Sequence, residues 1–396
     1  MSNITEQIAP TEYPTDLPRK YFFANRPVEL GGENDTEKLS DIRFAQEKGF
    51  PLPDNPSVSV DTTLRTLGLN VYPSDIPDAL TYASIRIRSS DDHFPGYNYG
   101  TFVTSESGNV AFAKLRYGPR NTEKELIDGA LVDKRVGGLK REAAILTALE
   151  EHDYEVPKVF GYTPAMPDGL DLEPNESDTL EALVIEAIPP EMGSTLPPEY
   201  WNADTARIAA NKIKTFAKPA SEIELFADEA RSISVEVLLK RSELPDDDYS
   251  QELMQTLESY KHLDEPIVVH GDTWLNNIIV KHDDSDVMFV DWELAGAGYR
   301  GQDAGRTLWG LTLDQDWAFN DVGDAAEAFI DTWCVSDEEV DNLRFGIMME
   351  SLRWIADRQD SLKKADDDTS ASLKNQIQAV KHHTLKIFRS LGERSA

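Results

Sequence analysis

Val268-Val269-His270-Gly271-Asp272-Thr273-Trp274-Leu275-Asn276-Asn277-Ile278-Ile279-Val280 runs from an apolar stretch through a polar loop into a second apolar stretch. Short apolar runs bounded by turn-forming residues read as buried strands. The loop carries His270-Gly271-Asp272, with Asn277 five positions after the aspartate. A third apolar run, Met288-Phe289-Val290, ends in Asp291-Trp292-Glu293. A loop between two short strands presents Asp272 and Asn277 together, and Asp291 stands at the end of the next strand. Phosphoryl transfer needs that set: a carboxylate to orient the attacking hydroxyl and accept its proton, and oxygen ligands for a hard cation. The competing reading is that Asp, Asn and Gly occur here as ordinary turn residues.

Working outward, the 396 residues suffice for two or three packed units, and 40% apolar content fits a water-soluble globular chain. No uninterrupted apolar stretch is long enough to span a bilayer. Met1 to Lys20 is polar and lacks the apolar segment of a secretory signal. A single cysteine, Cys334, excludes an internal disulfide and a cysteine-based zinc cluster, and a cytoplasmic setting is expected. The balance of 72 acidic against 39 basic residues, a net charge of −33, repels nucleic acid and anionic membranes. It would also repel a nucleoside triphosphate, so a nucleotide site needs local cations and Mg²⁺. The acidic surface is either adaptation to a salty cytoplasm or plain solvation.

Residues 1–80 are rich in proline and glycine, with one expected helix at Thr36 to Lys48, and read as an N-terminal extension. Strand patterning begins near residue 81. Tyr82 to Arg88 alternates, Tyr99 to Thr104 and Asn109 to Tyr117 follow across a Ser107-Gly108 turn, and a helix is expected from Leu139 to Glu150. Val156 to Gly161 reads as a short edge segment, Thr163 to Asp178 as an acidic loop, and Ala182 to Ile188 as a buried strand. Residues 189–396 are mainly helical, ending in an amphipathic helix over Ser370 to Leu391. The layout predicted is α+β: a small antiparallel sheet with one helix over 81–188, then a larger helical part over 189–396.

His270-Gly271-Asp272, Asn277 and Asp291-Trp292-Glu293 resemble the catalytic loop and metal motif of the aminoglycoside phosphotransferase and choline kinase superfamily, small-molecule relatives of the protein kinases. The resemblance covers roughly residues 82–320 and is most specific over 268–306. It implies a protein-kinase-like two-lobe fold, with a small sheet lobe and a larger helical lobe. It implies ATP or GTP with Mg²⁺, and a small-molecule hydroxyl as acceptor: an amino alcohol, an aminoglycoside or a sugar-like compound. Asp272 would be the catalytic base, His270 a structural member of the same loop, and Asn277 and Asp291 the metal ligands. Asp303 is the candidate for the later aspartate that fixes the loop; its other reading is a helix N-cap.

Alternation puts Lys114 on one strand face with Val110 and Phe112, an unusual place for a lysine without a buried partner. The resemblance pairs such a lysine with a helix glutamate, here Glu142, to hold the nucleotide phosphates; the other reading is a snorkelling surface lysine. No GxGxxG precedes it. The nearest equivalent of a nucleotide-covering turn is Gly96-Tyr97-Asn98-Tyr99-Gly100, with Asn98 as its candidate contact, and a plain hairpin is the alternative. Backbone groups from Glu186 to Ile188 fall where the family's hinge binds the base. All seven tryptophans lie beyond residue 200 and would either fill a helical core or, with Glu293, Asp314 or Asp316, hold a cationic amine. A protein kinase fits less well, because His-Gly-Asp and Asp-Trp-Glu replace His-Arg-Asp and Asp-Phe-Gly. The alternative from another class is a catalytically silent kinase-like binding module.

Overall fold

The computed structural model describes strand segments at 70–71, 86–87, 97–104, 110–119, 124–127 and 130–133, and residues 139–165, 178–188, 192–196, 198–227, 234–283, 285–313, 323–363 and 365–392. The helix expected at 36–48, Gly96, Asp314, Asp316 and Trp317 lie outside these residues. The chain divides into two compact units, one ending at Ser194 and one covering Thr195–Ala396.

The first unit is built on a six-stranded antiparallel sheet. Its strands are β1 (Asn70–Val71), β2 (Arg86–Ile87), β3 (Tyr97–Thr104), β4 (Val110–Pro119), β7 (Val159–Ala165) and β8 (Asp178–Glu186). They run in the order β1-β3-β4-β8-β7, with β2 also on β3. A separate hairpin joins β5 (Lys124–Ile127) and β6 (Ala130–Asp133). On β4, Ala111 and Ala113 are fully buried while Phe112 and Lys114 are half-buried, the two-residue period of a pleated strand. The helix α1 (Leu139–Glu151) buries Leu139, Ala143, Ile145, Leu146 and Leu149, the spacing of one helical face.

Two expectations differ here. Thr163–Ala165, expected as loop, extends β7 and pairs with Leu180–Ala182 of β8. The strand is at the sheet edge, where Pro164 costs no interior ladder bond. Tyr97 and Asn98, expected in a nucleotide-covering turn ahead of the strand at Tyr99–Thr104, already belong to that strand and pair with Tyr117 and Arg116 of β4. The aromatic and β-branched alternation of Tyr97, Tyr99 and Thr101 prevails over the turn preference of Asn98 and Gly100.

The second unit holds eight-residue or longer helices α2 (Ala203–Phe216), α3 (Val235–Ser242), α4 (Asp248–Ser259), α5 (Gln302–Leu311), α6 (Asp324–Trp333), α7 (Asp337–Leu362) and α8 (Asp367–Gly392). Side-chain oxygens cap four of them: Asn202 accepts from Thr205 N, Ser234 from Val237 N, Asp247 from Ser250 N and Ser336 from Glu339 N. Glu339 also reaches back to Val335 N at 3.0 Å, close to a capping box. The helix α7 packs against α3, α4, α5 and α8. Its apolar residues therefore cover more than one stripe, and Leu343, Phe345, Ile347, Met348, Leu352 and Ile355 are all buried. No helix among the described residues is long and apolar enough to cross a membrane.

Two small antiparallel pairs set the loop of interest. One joins β9 (Ile267–Val269) to β12 (Gly296–Gly298); the other joins β10 (Ile278–Lys281) to β11 (Val287–Phe289). Beneath them Phe216 meets Phe289 and Trp292 edge-on at centroid distances of 5.2 and 5.1 Å. Trp292, inside the acidic motif, is fully buried and donates Nε1 to Phe289 O at 2.8 Å. Trp201, Trp309 and Trp333 are buried too, which fits the core reading for these four, whereas Trp274 and Trp354 are half-exposed.

Candidate active site

The loop from His270 to Asn277 connects β9 to β10 and hangs from the first two turns of α5. The Asp303 carboxylate accepts the His270 N–H at 2.7 Å and the Gly271 N–H at 3.0 Å, one on each oxygen. The Asp303 carbonyl accepts from Thr273 Oγ1 at 2.7 Å, and Thr307 Oγ1 donates to Thr273 O at 3.0 Å. Arg306 Nη2 donates to Asp272 Oδ1. The N-cap of α5 is Gly301, not Asp303, so Asp303 serves the loop rather than its own helix. Gly271 has φ of +81°, and a Cβ there would meet Leu294 O. The turn thus needs glycine for both conformation and space.

His270 is fully buried. Its Nδ1 accepts from Asp272 N at 3.2 Å and its Nε2 donates to Val290 O at 3.1 Å. An acceptor Nδ1 and a donor Nε2 describe the neutral Nε2–H tautomer. Burial pushes its pKa down to about 4, against the pull of Asp272 and Asp291. His270 therefore ties the loop to the residue before Asp291 instead of titrating near neutrality. The Val290 N–H in turn donates to Asn277 O at 2.9 Å.

Asn277 is buried, and its Nδ2 donates to both Asp272 O at 2.9 Å and Asp272 Oδ2 at 3.0 Å. Two acceptor oxygens fix the orientation of the amide. Its Oδ1 is then the atom left to act as an oxygen ligand. Asp291 has φ of 69°, the left-handed region that a non-glycine residue rarely holds without support. Among the described residues no group of three His, Cys, Asp or Glu side chains forms a metal site. Mg²⁺ in a phosphotransferase does not require one, since water and phosphate oxygens complete its shell. Asn277 Oδ1 with the Asp291 carboxylate fits that donor chemistry.

In the first unit, Lys114 Nζ donates to Glu142 Oε1 at 2.7 Å and Oε2 at 3.0 Å. Glu142 is 1% exposed, so its charge sits where an unpaired carboxylate would be costly. Asn98 lies in β3 opposite Arg116, two residues from Gly100, which pairs with Lys114. The Glu186 N–H donates to Lys158 O at 2.8 Å, and Ile188 is buried.

Burial pushes the Asp303 carboxyl up to about 6, although two backbone N–H groups and Arg306 favour its charge. His383, beside Trp309 and accepting or donating at Thr312 Oγ1 (2.8 Å), is pushed down to about 3, again by burial. The signs oppose. A histidine lowered on folding contributes stability that is complete above its unfolded pKa of 6.5 and is lost as pH falls. An aspartate raised on folding favours the folded state as pH falls through 6. With two histidines against one aspartate, equilibrium unfolding should show a net loss on the order of 2 kcal/mol between neutral pH and about pH 5. A denaturant midpoint unchanged over that range would contradict these burial effects.

A family model described as the phosphotransferase enzyme family, APH, matches residues 133–345, more than half of the 396-residue chain. The chain belongs to the phosphotransferase enzyme family. It is accordingly a phosphotransferase, on the α+β fold described above. No curated protein matches it. Among solved structures, an ethanolamine kinase of Plasmodium vivax is similar at 13% identity and a TM-score of 0.49, over 91% of this chain and 98% of that one. Aminoglycoside 2'-phosphotransferase-IIIa, in a GDP complex, is similar at 11% identity and a TM-score of 0.48, over 83% and 99%. The amicoumacin kinase hAmiN, in complex with AMP-PNP, Ca²⁺ and Ami, is similar at 15% identity and a TM-score of 0.43, over 81% and 93%.

The sequence did not single out Thr273, Thr307, Arg306 or Glu350. A signal existed for the helix: Asp303, Arg306 and Thr307 fall at i, i+3 and i+4, one polar face on a helix whose ten residues are all buried. Nothing in the sequence pointed to Glu350.

Proposed function

We propose that this phosphotransferase moves the γ-phosphoryl group of ATP or GTP to a hydroxyl of a small molecule, with an amino alcohol, an aminoglycoside and a sugar-like compound as the candidate classes. The observation that carries the reading is the environment of Asp272. Its carboxylate is gripped on one oxygen by Arg306 and on the other by Asn277, in a loop suspended from Asp303. A carboxylate so fixed can accept a hydrogen bond from an acceptor hydroxyl and take its proton as transfer proceeds. The hydroxyl oxygen bonds to the γ-phosphorus while the bond from that phosphorus to the diphosphate oxygen breaks.

Mg²⁺, when bound, would neutralise charge on the phosphate oxygens. Asn277 Oδ1 and Asp291 would hold it, and His270 would keep the two segments that bear them together. Lys114, placed by Glu142, would contact the phosphates. Backbone groups from Glu186 to Ile188 would hydrogen-bond the base, the Glu186 N–H itself being given to Lys158 O. This reading takes residues 81–188 as the nucleotide-binding lobe, 189–396 as the catalytic lobe and the cytoplasm as its setting.

The test is Mg²⁺-dependent release of nucleoside diphosphate in the presence of alcohols, amino alcohols, sugars and aminoglycosides. One acceptor class should stimulate release and appear as its phosphate ester. Failure to bind Mg²⁺–nucleotide at any salt concentration would defeat the proposal. Asp291→Ala should lose at least about tenfold of the nucleotide affinity that Mg²⁺ confers on the wild type, while affinity in its absence stays the same. Equal Mg²⁺ dependence in both proteins would remove Asp291 from the metal site.

A further inference from the structure

Arg306 occupies a place that the reaction does not by itself explain. It is 6% exposed, its Nη2 donates to Asp272 Oδ1, and its Nη1 donates to Glu350 Oε2 at 3.1 Å. Burial works against its charge, but Glu350 and Asp272 outweigh that and hold the guanidinium protonated. Glu350 is itself 6% exposed and accepts from Trp354 Nε1 at 3.0 Å. The guanidinium also lies 5.4 Å from the ring centre of Trp274 in the loop.

The backbone explains how a residue on α7 reaches this point. A Cβ on Gly305 would collide with the backbone of Gly346, and a Cβ on Gly346 would collide with Gly301 O. These two glycines let α5 and α7 cross at backbone contact. Arg306 follows Gly305, and Glu350 stands one turn beyond Gly346, so the crossing sets them side by side. A planar, always charged fork then spans two carboxylates in a fixed geometry, which a lysine cannot reproduce.

We infer that Arg306 is a positioning residue for phosphoryl transfer: tethered by Glu350 across the Gly305–Gly346 crossing, it fixes the direction in which Asp272 presents its carboxylate. The inference rests on the proposed phosphotransfer role of Asp272. Arg306 acts through that carboxylate and touches no reacting atom. Its loss should therefore appear in turnover and not in nucleotide binding, because a carboxylate misdirected by a fraction of its hydrogen-bond length still leaves Lys114, Asn277 and Asp291 in place.

The experiment compares wild type, Arg306→Lys, Arg306→Met and Asp272→Asn. Each is read for Mg²⁺–AMP-PNP affinity and for transfer from Mg²⁺–ATP to the best acceptor of the panel and to water. Arg306→Met strands the buried Glu350 carboxylate and the part-buried Asp272 carboxylate and risks failing to fold. Arg306→Lys keeps the charge and is the variant that decides. Expected for Arg306→Lys is a fall in kcat of about tenfold, with the nucleotide Kd and acceptor KM within about threefold of wild type. Arg306→Met, if folded, should fall by about a hundredfold or more, so that lysine recovers part of the loss.

Wild-type kcat in Arg306→Lys, or a loss that appears wholly in nucleotide Kd, overturns the positioning role. If Asp272→Asn is inactive in the same series, the phosphotransferase reading survives that result. Wild-type turnover in Asp272→Asn, or no transfer by the wild type to any acceptor or to water, overturns both together.

Discussion

Replacing Asp272 by alanine is expected to lower kcat by about a hundred- to ten-thousand-fold, the usual share of a positioned general base. Nucleotide affinity should stay within about threefold of wild type, since the lost group addresses the acceptor and not the phosphates. The structure supplies the reason to expect this separation. Asn277 donates to the Asp272 backbone carbonyl as well as to its side chain, so half of its anchor survives the truncation. His270 keeps its bond to the Asp272 N–H, and Arg306 keeps Glu350. The loop should thus persist without its carboxylate. Single-turnover transfer to the identified acceptor and titration with a non-hydrolysable nucleotide make the two measurements. Wild-type turnover would remove Asp272 from the chemistry. A parallel collapse of nucleotide binding would show that Asp272 shapes the metal site instead.

The parts of this site that were legible in the sequence are local. Asp272, Asn277 and Asp291 sit beside short strand ends within 20 residues, and the spacing of apolar runs alone brings them together. Lys114 was legible because alternation puts a lysine on the strand face it shares with the apolar Val110 and Phe112. Its bond to Glu142 follows once α1 packs over the sheet. What was not legible depends on how distant segments cross. Arg306 and Glu350 meet because Gly305 and Gly346 permit two helices to touch, and a glycine inside a helix does not announce its partner. The backbone conformation of Asn98 was not legible for the opposite reason. Its local turn preference was clear, but pairing along β4 decided its conformation. The left-handed backbone of Asp291 also has no sequence signature beyond the tolerance of aspartate for that region.

Removing the Asp303 carboxylate should destabilise the fold as well as the loop. Its two oxygens satisfy the buried N–H groups of His270 and Gly271, and the residue is 4% exposed. Alanine would leave both donors without an acceptor, at about 1–3 kcal/mol each, so Asp303→Ala should lose on the order of 2–6 kcal/mol of unfolding free energy. Asparagine restores one acceptor but turns an NH₂ toward the other N–H, so Asp303→Asn should fall between alanine and wild type. Activity should fall in both, because the loop that aims Asp272 loses its suspension. The carboxyl also offers a second readout that a merely structural residue would lack. With its pKa pushed up to about 6 by burial, wild-type turnover should decline as pH drops through that value and the carboxylate takes up a proton. Protonation turns an acceptor of two bonds into a group that must donate one, while the folded state as a whole is favoured by the proton it has gained. Activity should therefore be lost at a pH where this residue is not weakening the fold, and the residual activity of Asp303→Asn should lack that acid limb. An identical acid limb in Asp303→Asn would assign the titration to another group; unchanged stability in Asp303→Ala would mean that water or a shifted loop satisfies the two amides.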